Sequence, residues 1–231
     1  MNPRFQFTAL IFDMDGLMLD TERIARSAWQ RAMSDWNATL PDALYLQLIG
    51  RDEQGTVAIL QEAYGEEFPV RQVRQRKQQY FEEDIVRHGV PMKPGLMELL
   101  DLADALSQRK AVASSTETEP ALRKLALAGI AGRFDAIVCG DQVQNGKPAP
   151  DIFLEAAARL GVAPEQCLVL EDSEPGVRAA HAAGMLAIMV PDLKPPSEDV
   201  EALAYRVLPS LHHVRAFLEE TVGAARDDLP E

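Results

Sequence analysis

The chain has 231 residues, 47% of them hydrophobic, enough to bury the core of one large domain or of a core with a smaller insertion. A formal net charge of −13 argues against general nucleic-acid binding, which needs a basic surface, so a phosphate could be held only at a local cation or metal. No uncharged apolar run approaches the length of a membrane span, and Met1-Asn2-Pro3-Arg4-Phe5 does not open a signal peptide, so a cytoplasmic location away from membranes is the expectation.

The run from Phe7 to Phe12 is short, apolar and closed by Asp13 and Asp15, which predicts a buried parallel strand. From about Asp20 to His88 the apolar residues fall at helical spacing: Ile24, Ala28, Ala32, Met33 and Trp36, then Val57, Leu60 and Tyr64, then Tyr80, Phe81 and Ile85. The charged run from Arg71 to Lys77 reads as a solvated helix face. Beyond Pro91 the pattern alternates. Helices are predicted over Leu96–Leu106, Glu119–Ala128, Asp151–Leu160 and Pro175–Ala183, and they lead to strands over Lys110–Ala113, Ala136–Cys139, Cys167–Leu170 and Leu186–Val190. A last helix is predicted over Leu211–Val222, then a frayed tail from Arg226. Cys139 and Cys167 fall inside strand-like runs and read as small core hydrophobes of a cytosolic protein.

Such β-α repetition implies a parallel sheet covered by helices on both faces. The first strand must join it, because an isolated strand cannot satisfy its backbone groups. The expected class is therefore α/β: a Rossmann-like parallel-sheet core with helices on both faces and an inserted all-α cap domain. Residues 1–19 and 91–231 would form the catalytic core and 20–90 the helical insertion, with two connections that could hinge a lid.

Ligands of open parallel sheets bind beyond the carboxyl ends of the strands. Few polar residues stand there: Asp13 and Asp15, then Ser114, Ser115 and Thr116, then Asp141, then Glu171 and Asp172, with Lys147 in the loop from Asn145 to Asp151. Converging carboxylates repel one another, and a divalent cation resolves the repulsion; an all-oxygen donor set suits Mg2+. His88, His181, His212 and His213 lie elsewhere, so zinc ligation is not expected.

Four motifs occur in order: Asp13-Met14-Asp15-Gly16, Ser114 after Ala111-Val112-Ala113, Gly146-Lys147-Pro148, and Leu170-Glu171-Asp172-Ser173. In these the chain resembles the haloacid dehalogenase-like hydrolases, in the subgroup with an α-helical cap inserted after the first motif. The resemblance implies that Asp13 attacks phosphorus and forms an aspartyl-phosphate, with Asp15 as acid and then base. It implies Mg2+ at Asp13, the Asp15 carbonyl and Asp172, with Glu171 as a direct ligand or as an outer partner. Ser114, Ser115 and Lys147 would hold phosphoryl oxygens.

Within that subgroup the chain resembles sugar-phosphate phosphatases and β-phosphoglucomutases. The mutases carry a histidine early in the cap; here the sequence reads Arg23-Ile24-Ala25-Arg26-Ser27, which favours hydrolysis. The resemblance thus implies a phosphatase for a small phosphorylated metabolite. A mutase or an idle binding protein on the same fold are the alternatives, and monomer and homodimer both stay open. Substrate selection would fall to the cap, through Glu22, Arg51 and Lys77.

Overall fold

A computed structural model describes residues 7–49 and 53–226, with side chains described as far as residue 221. Arg51 and the expected tail beyond residue 226 lie outside the described residues. The chain divides into two compact units: Asp20–Val90 is one, and the flanking segments, up to Leu19 and from Pro91, form the other.

The first strand, β1 (Ala9–Phe12), is buried at all four residues. Four helices follow in the inserted unit: α1 (Thr21–Ser34), α2 (Asp42–Leu48), α3 (Glu53–Tyr64) and α4 (Val70–His88). Helix α1 buries Ala28, Trp29, Ala32 and Met33, a stripe at three- and four-residue spacing, and α4 buries Val73, Phe81 and Ile85. Glu22 in the first turn of α1 and Arg31 in its last both complement the helix dipole. Arg31 also lies 3.9 Å from the Tyr80 ring centroid and donates to Asp84 at 2.9 Å and 3.0 Å. Arg76 lies 4.4 Å from the same ring and donates to Asp35 at 2.8 Å. Contacts as exposed to water as these contribute little to stability individually. Their effect is to tie α1 to α4 outside the apolar seam.

In the other unit, β2 (Arg109–Ser114), β3 (Ala136–Cys139), β4 (Cys167–Glu171), β5 (Leu186–Met189) and β6 (Arg206–Val207) join β1 in one parallel sheet of order β3-β2-β1-β4-β5-β6. Helices α5 (Leu96–Ala105), α6 (Thr118–Leu127), α7 (Asp151–Leu160), α8 (Glu174–Ala182) and α9 (Glu198–Leu203) alternate with the strands, and α10 (Leu211–Arg226) closes the unit. Ile11, Ala111 and Val169 of the sheet pack with Phe153 of α7 and Val177 of α8. Burying a side chain such as Phe153 contributes about 1.5–3 kcal/mol.

Two elements escape the hydrophobic pattern, α9 and β6. A two-residue strand has no periodicity of its own; β6 exists because Arg206 and Val207 pair with Ile188 and Met189. Strand β5 stops at Met189, one residue short of the expectation, and the Val190 N–H bonds the Glu171 carbonyl at 2.7 Å. Cys139 and Cys167 are buried and unpaired, and burial pushes the Cys167 thiol up to about 11, which keeps it unreactive. Among the described residues no helix is long and apolar enough to cross a membrane.

Strand β1 is central, with Phe12 level with Val112 of β2 on one side and Leu170 of β4 on the other. The strand order reverses between β1 and β4, and at such a reversal the connections leave to opposite sides and open a crevice at the carboxyl ends.

Candidate functional site

Asp13 follows β1 at that crevice, and its N–H still bonds the Leu170 carbonyl at 3.0 Å, so sheet pairing fixes its position. The chain then turns at once. The Met14 carbonyl accepts from Met18 at 3.1 Å and from Leu19 at 3.0 Å. Leu19 pairs with Met92, and the Met18 carbonyl accepts from Lys93 at 2.8 Å, so the segments leading to and from the insertion run side by side. Gly16 sits in this turn with φ of 91°, and a β-carbon there would lie 2.2 Å from Asp172 Oδ2. The residue is glycine for two reasons: the backbone is left-handed, and the Asp172 carboxylate occupies the side-chain space.

Lys147 reaches Asp13 from the loop before α7. Its side chain is 4% exposed, and its ammonium donates to Asp13 Oδ1 at 2.5 Å, Glu171 Oε1 at 2.6 Å and the Ala113 carbonyl at 3.0 Å. Three donors thus meet three acceptors. Burial alone would push the Lys147 ammonium down, but the Asp13 and Glu171 carboxylates outweigh it and hold the group charged. Glu171 is wholly buried and points back into the start of α8. Its Oε2 accepts from the backbone of Asp172 at 3.0 Å, from the backbone of Ser173 at 3.0 Å and from Ser173 Oγ at 2.9 Å. Ser173 caps α8 by accepting from Gly176 N at 3.2 Å.

Oxygen atoms of Asp13, Glu171 and Asp172 lie within 4.8 Å of one another, close enough to share one metal ion. Burial pushes the Asp13 carboxyl up to about 7; Lys147 opposes this, and Glu171 and Asp15 add to it. The carboxylates of Asp13, Glu171 and Asp172 crowd together here, and the Lys147 ammonium meets Asp13 and Glu171. A divalent cation shared by the three would offset their mutual repulsion. The donors are all oxygens, so the set fits a hard ion such as Mg2+.

Asp15, two residues after Asp13, has different neighbours. Thr116 Oγ1 donates to its Oδ2 at 2.7 Å, and Lys124 Nζ lies 2.7 Å from its Oδ1. Lys124 escapes the strand-end rule because it stands on α6, past the loop. Its signal was available: it shares a helical stripe with Ala121 and Leu125, both buried. A lysine on an apolar stripe needs a buried acceptor.

Ser114 ends β2, is 2% exposed, and its Oγ accepts from Thr116 N at 3.2 Å. Ser115 is exposed, and its carbonyl is the atom that a β-carbon on Gly140 would strike, at 2.4 Å. Asp141, although it follows β3, is engaged elsewhere: its Oδ1 accepts from Thr118 N at 3.0 Å and Thr118 Oγ1 at 2.7 Å, at the start of α6.

Within the helical unit, Glu22 and Lys77 line an open cavity of about 510 Å3 together with Trp29, Tyr45, Glu53 and Arg71. The Tyr45 hydroxyl lies 2.9 Å from both the carbonyl and Oε2 of Glu22, which fixes that side chain. Arg74 pairs with Glu53 at 2.9 Å.

The haloacid dehalogenase-like hydrolase family matches residues 7–184. A phosphorylated carbohydrates phosphatase of Thermotoga maritima is 34% identical over 228 residues, 96% of this chain and 94% of its own length. The fructose-1-phosphate phosphatase of Escherichia coli is 33% identical over 187 residues, 80% of this chain and 97% of its own. Among solved structures, a HAD family hydrolase from Deinococcus radiodurans with bound phosphate and sodium superposes with a TM-score of 0.81 at 29% identity, covering 94% of this chain and 97% of that one.

Proposed function

Since the chain belongs to the haloacid dehalogenase-like hydrolases, we propose that it is a Mg2+-dependent phosphatase that hydrolyses small phosphomonoesters, sugar phosphates foremost, through an aspartyl-phosphate on Asp13. The observation that carries the reading is the division between the two aspartates. Asp13 belongs to the group that can share a cation and is held by Lys147, whereas Asp15 is held apart by Thr116 and Lys124. Two carboxylates in different environments can take different tasks.

In the first half-reaction the Asp13 carboxylate attacks phosphorus in line with the ester oxygen. The P–O ester bond breaks, its electron pair stays on the leaving oxygen, and Asp15 delivers a proton to that oxygen. In the second, water gives a proton to Asp15 and attacks the aspartyl-phosphate, and Asp13 leaves as the carboxylate. Ser114 and Lys147 hold the non-bridging oxygens, where negative charge collects. Asp13, Asp172 and the Asp15 carbonyl would hold Mg2+, with Glu171 anchoring Lys147 beside them. Bound there, the ion supplies positive charge that keeps Asp13 deprotonated and draws charge from the phosphoryl group.

The α/β unit would carry this chemistry and the helical unit, residues 20–90, the substrate selection. Glu22 and Lys77, which line the helical unit's cavity, are our candidates for contacting the part of the substrate beyond the phosphate, together with Arg51. The phosphatase of phosphorylated carbohydrates among the relatives supports a sugar phosphate. The test is phosphate release from a panel of phosphomonoesters with and without Mg2+, run beside Asp13→Asn. Mg2+-dependent release from sugar phosphates that Asp13→Asn abolishes is the expected result; release that persists in that variant would overturn the mechanism. With β-glucose 1-phosphate and a trace of its bisphosphate, free phosphate should outpace glucose 6-phosphate, and the reverse would mean a mutase.

A further inference from the structure

The Asp15 carboxylate is gripped from two sides by groups of different chemistry. Thr116 donates a hydroxyl hydrogen to Oδ2 at 2.7 Å, while the Lys124 ammonium meets Oδ1 at 2.7 Å. Lys124 comes from α6, facing inward between Ala121 and Leu125, and its side chain is 11% exposed. Immobilising a lysine costs side-chain entropy, and desolvating its ammonium costs more. A surface-facing lysine would avoid both costs, so the inward one requires a reason. Packing supplies none, because an apolar residue on that stripe would fill the space more cheaply.

We infer that Lys124 is a positioning residue for Asp15: it pins Oδ1, so that the proton exchanged during turnover is carried by Oδ2. The inference rests on the reading of Asp15 as acid and base. An ammonium has three donors and no acceptor, so the oxygen held against it cannot present a proton in that direction. The Thr116 hydroxyl both donates and accepts, and it adapts to Oδ2 as a carboxylate or a carboxylic acid oxygen. The pair therefore makes the two oxygens unequal. In the first half-reaction the proton passes from Oδ2 to the leaving oxygen as the P–O bond breaks and its electron pair moves onto that oxygen. Asp15 is left as a carboxylate, and Lys124, which keeps its own protons throughout, balances the new charge. In the second half-reaction Oδ2 takes a proton from the attacking water. Lys124 never touches the substrate; it acts through Asp15.

Leaving-group dependence separates this role from a merely structural one. Phenyl phosphate and p-nitrophenyl phosphate are close in size, but phenolate is the poorer leaving group and needs the acid more. The measurement is kcat/KM, which reports steps only up to departure of the leaving group. The proteins compared are wild type, Lys124→Met, Lys124→Arg and Asp15→Asn, each with bound Mg2+ and with its fold checked by circular dichroism. Lys124→Met should lower kcat/KM for phenyl phosphate by about 10–100-fold, part of the range general acid catalysis supplies, and that for p-nitrophenyl phosphate by several-fold less. Lys124→Arg, which keeps a cationic donor, should recover part of the difference. Equal losses on the two esters in Lys124→Met, alongside unequal losses in Asp15→Asn, would overturn the role of Lys124 and leave that of Asp15 intact. Equal losses in Asp15→Asn itself would instead overturn the acid assignment. If Lys124→Met does not fold, the same ratio measured on Lys124→Gln decides the matter by the same criteria.

Discussion

Gly176→Ala should be strongly destabilising although the position is helical and carries no left-handed backbone. In an ordinary helix this substitution stabilises by about 0.5–1 kcal/mol, because alanine loses less backbone entropy on folding. Here a β-carbon would lie 1.8 Å from Glu171 Oε1 and 1.9 Å from its Cδ, so Glu171 must leave its place. That side chain is wholly buried, accepts three hydrogen bonds at Oε2 and holds Lys147 at 2.6 Å. Breaking one buried ion pair costs about 3–5 kcal/mol, and the hydrogen bonds overlap with that figure rather than add to it. The net expectation is a loss of about 3–4 kcal/mol in urea unfolding, with activity falling as Lys147 loses its anchor. The sign should reverse once the obstruction is gone: on a Glu171→Ala background, Gly176→Ala should be neutral or mildly stabilising. A Gly176→Ala protein as stable and as active as wild type would refute the inward placement of Glu171 and the chain from Gly176 through Glu171 and Lys147 to Asp13.

Gly16→Ala introduces a β-carbon 2.2 Å from Asp172 Oδ2 and strains a left-handed residue, so it should weaken Mg2+ binding, read by calorimetric titration, by roughly tenfold or more. The Asp13 carboxyl, raised from 3.8 to about 7, contributes stability to the metal-free protein at low pH that is lost as pH rises through 7. Mg2+ needs the ionised form, so the rise in Tm on adding Mg2+ should be larger at pH 8 than at pH 6, and equal shifts would contradict the siting of the ion at Asp13. Arg31→Ala removes the contacts to Tyr80 and Asp84 and should cost the helical unit about 1 kcal/mol by chemical unfolding, while the effect of Mg2+ on Tm persists.

Much of the α/β unit is legible along the chain because its strands are buried on both faces and so read as unbroken apolar runs, as in Ala9–Phe12 and Cys167–Leu170. The short elements are not. Arg206 and Val207 form a strand through the partner that β5 offers, which no local window contains. At the site, the strand-end rule finds Asp13, Glu171 and Asp172, yet it also collects Asp141, whose carboxylate is occupied by Thr118. It cannot tell an inward carboxylate from an outward one. Glu171 turns inward because Gly176 leaves it room, and that dependence spans five residues with no periodic signature. The rule does collect Thr116 from the loop after β2, but Lys124 falls outside it because it acts on Asp15 from helix α6. The strand order, and hence the central place of β1 at the reversal, is likewise a property of tertiary pairing.

Phosphorylation of Asp13, with Asp15 serving as the base that hydrolyses the phosphoenzyme, is the step on which the proposed activity depends. Its most direct test is acid quenching of the protein during turnover of a phosphomonoester with Mg2+, then mass spectrometry of its peptides. The peptide containing Asp13 should carry one phosphoryl group on Asp13. That species should build up in Asp15→Asn treated with p-nitrophenyl phosphate, whose leaving group needs little acid but whose aspartyl-phosphate still needs a base, and it should be absent from Asp13→Asn. Turnover with no such adduct in Asp15→Asn, or an adduct on a residue other than Asp13, would contradict the account.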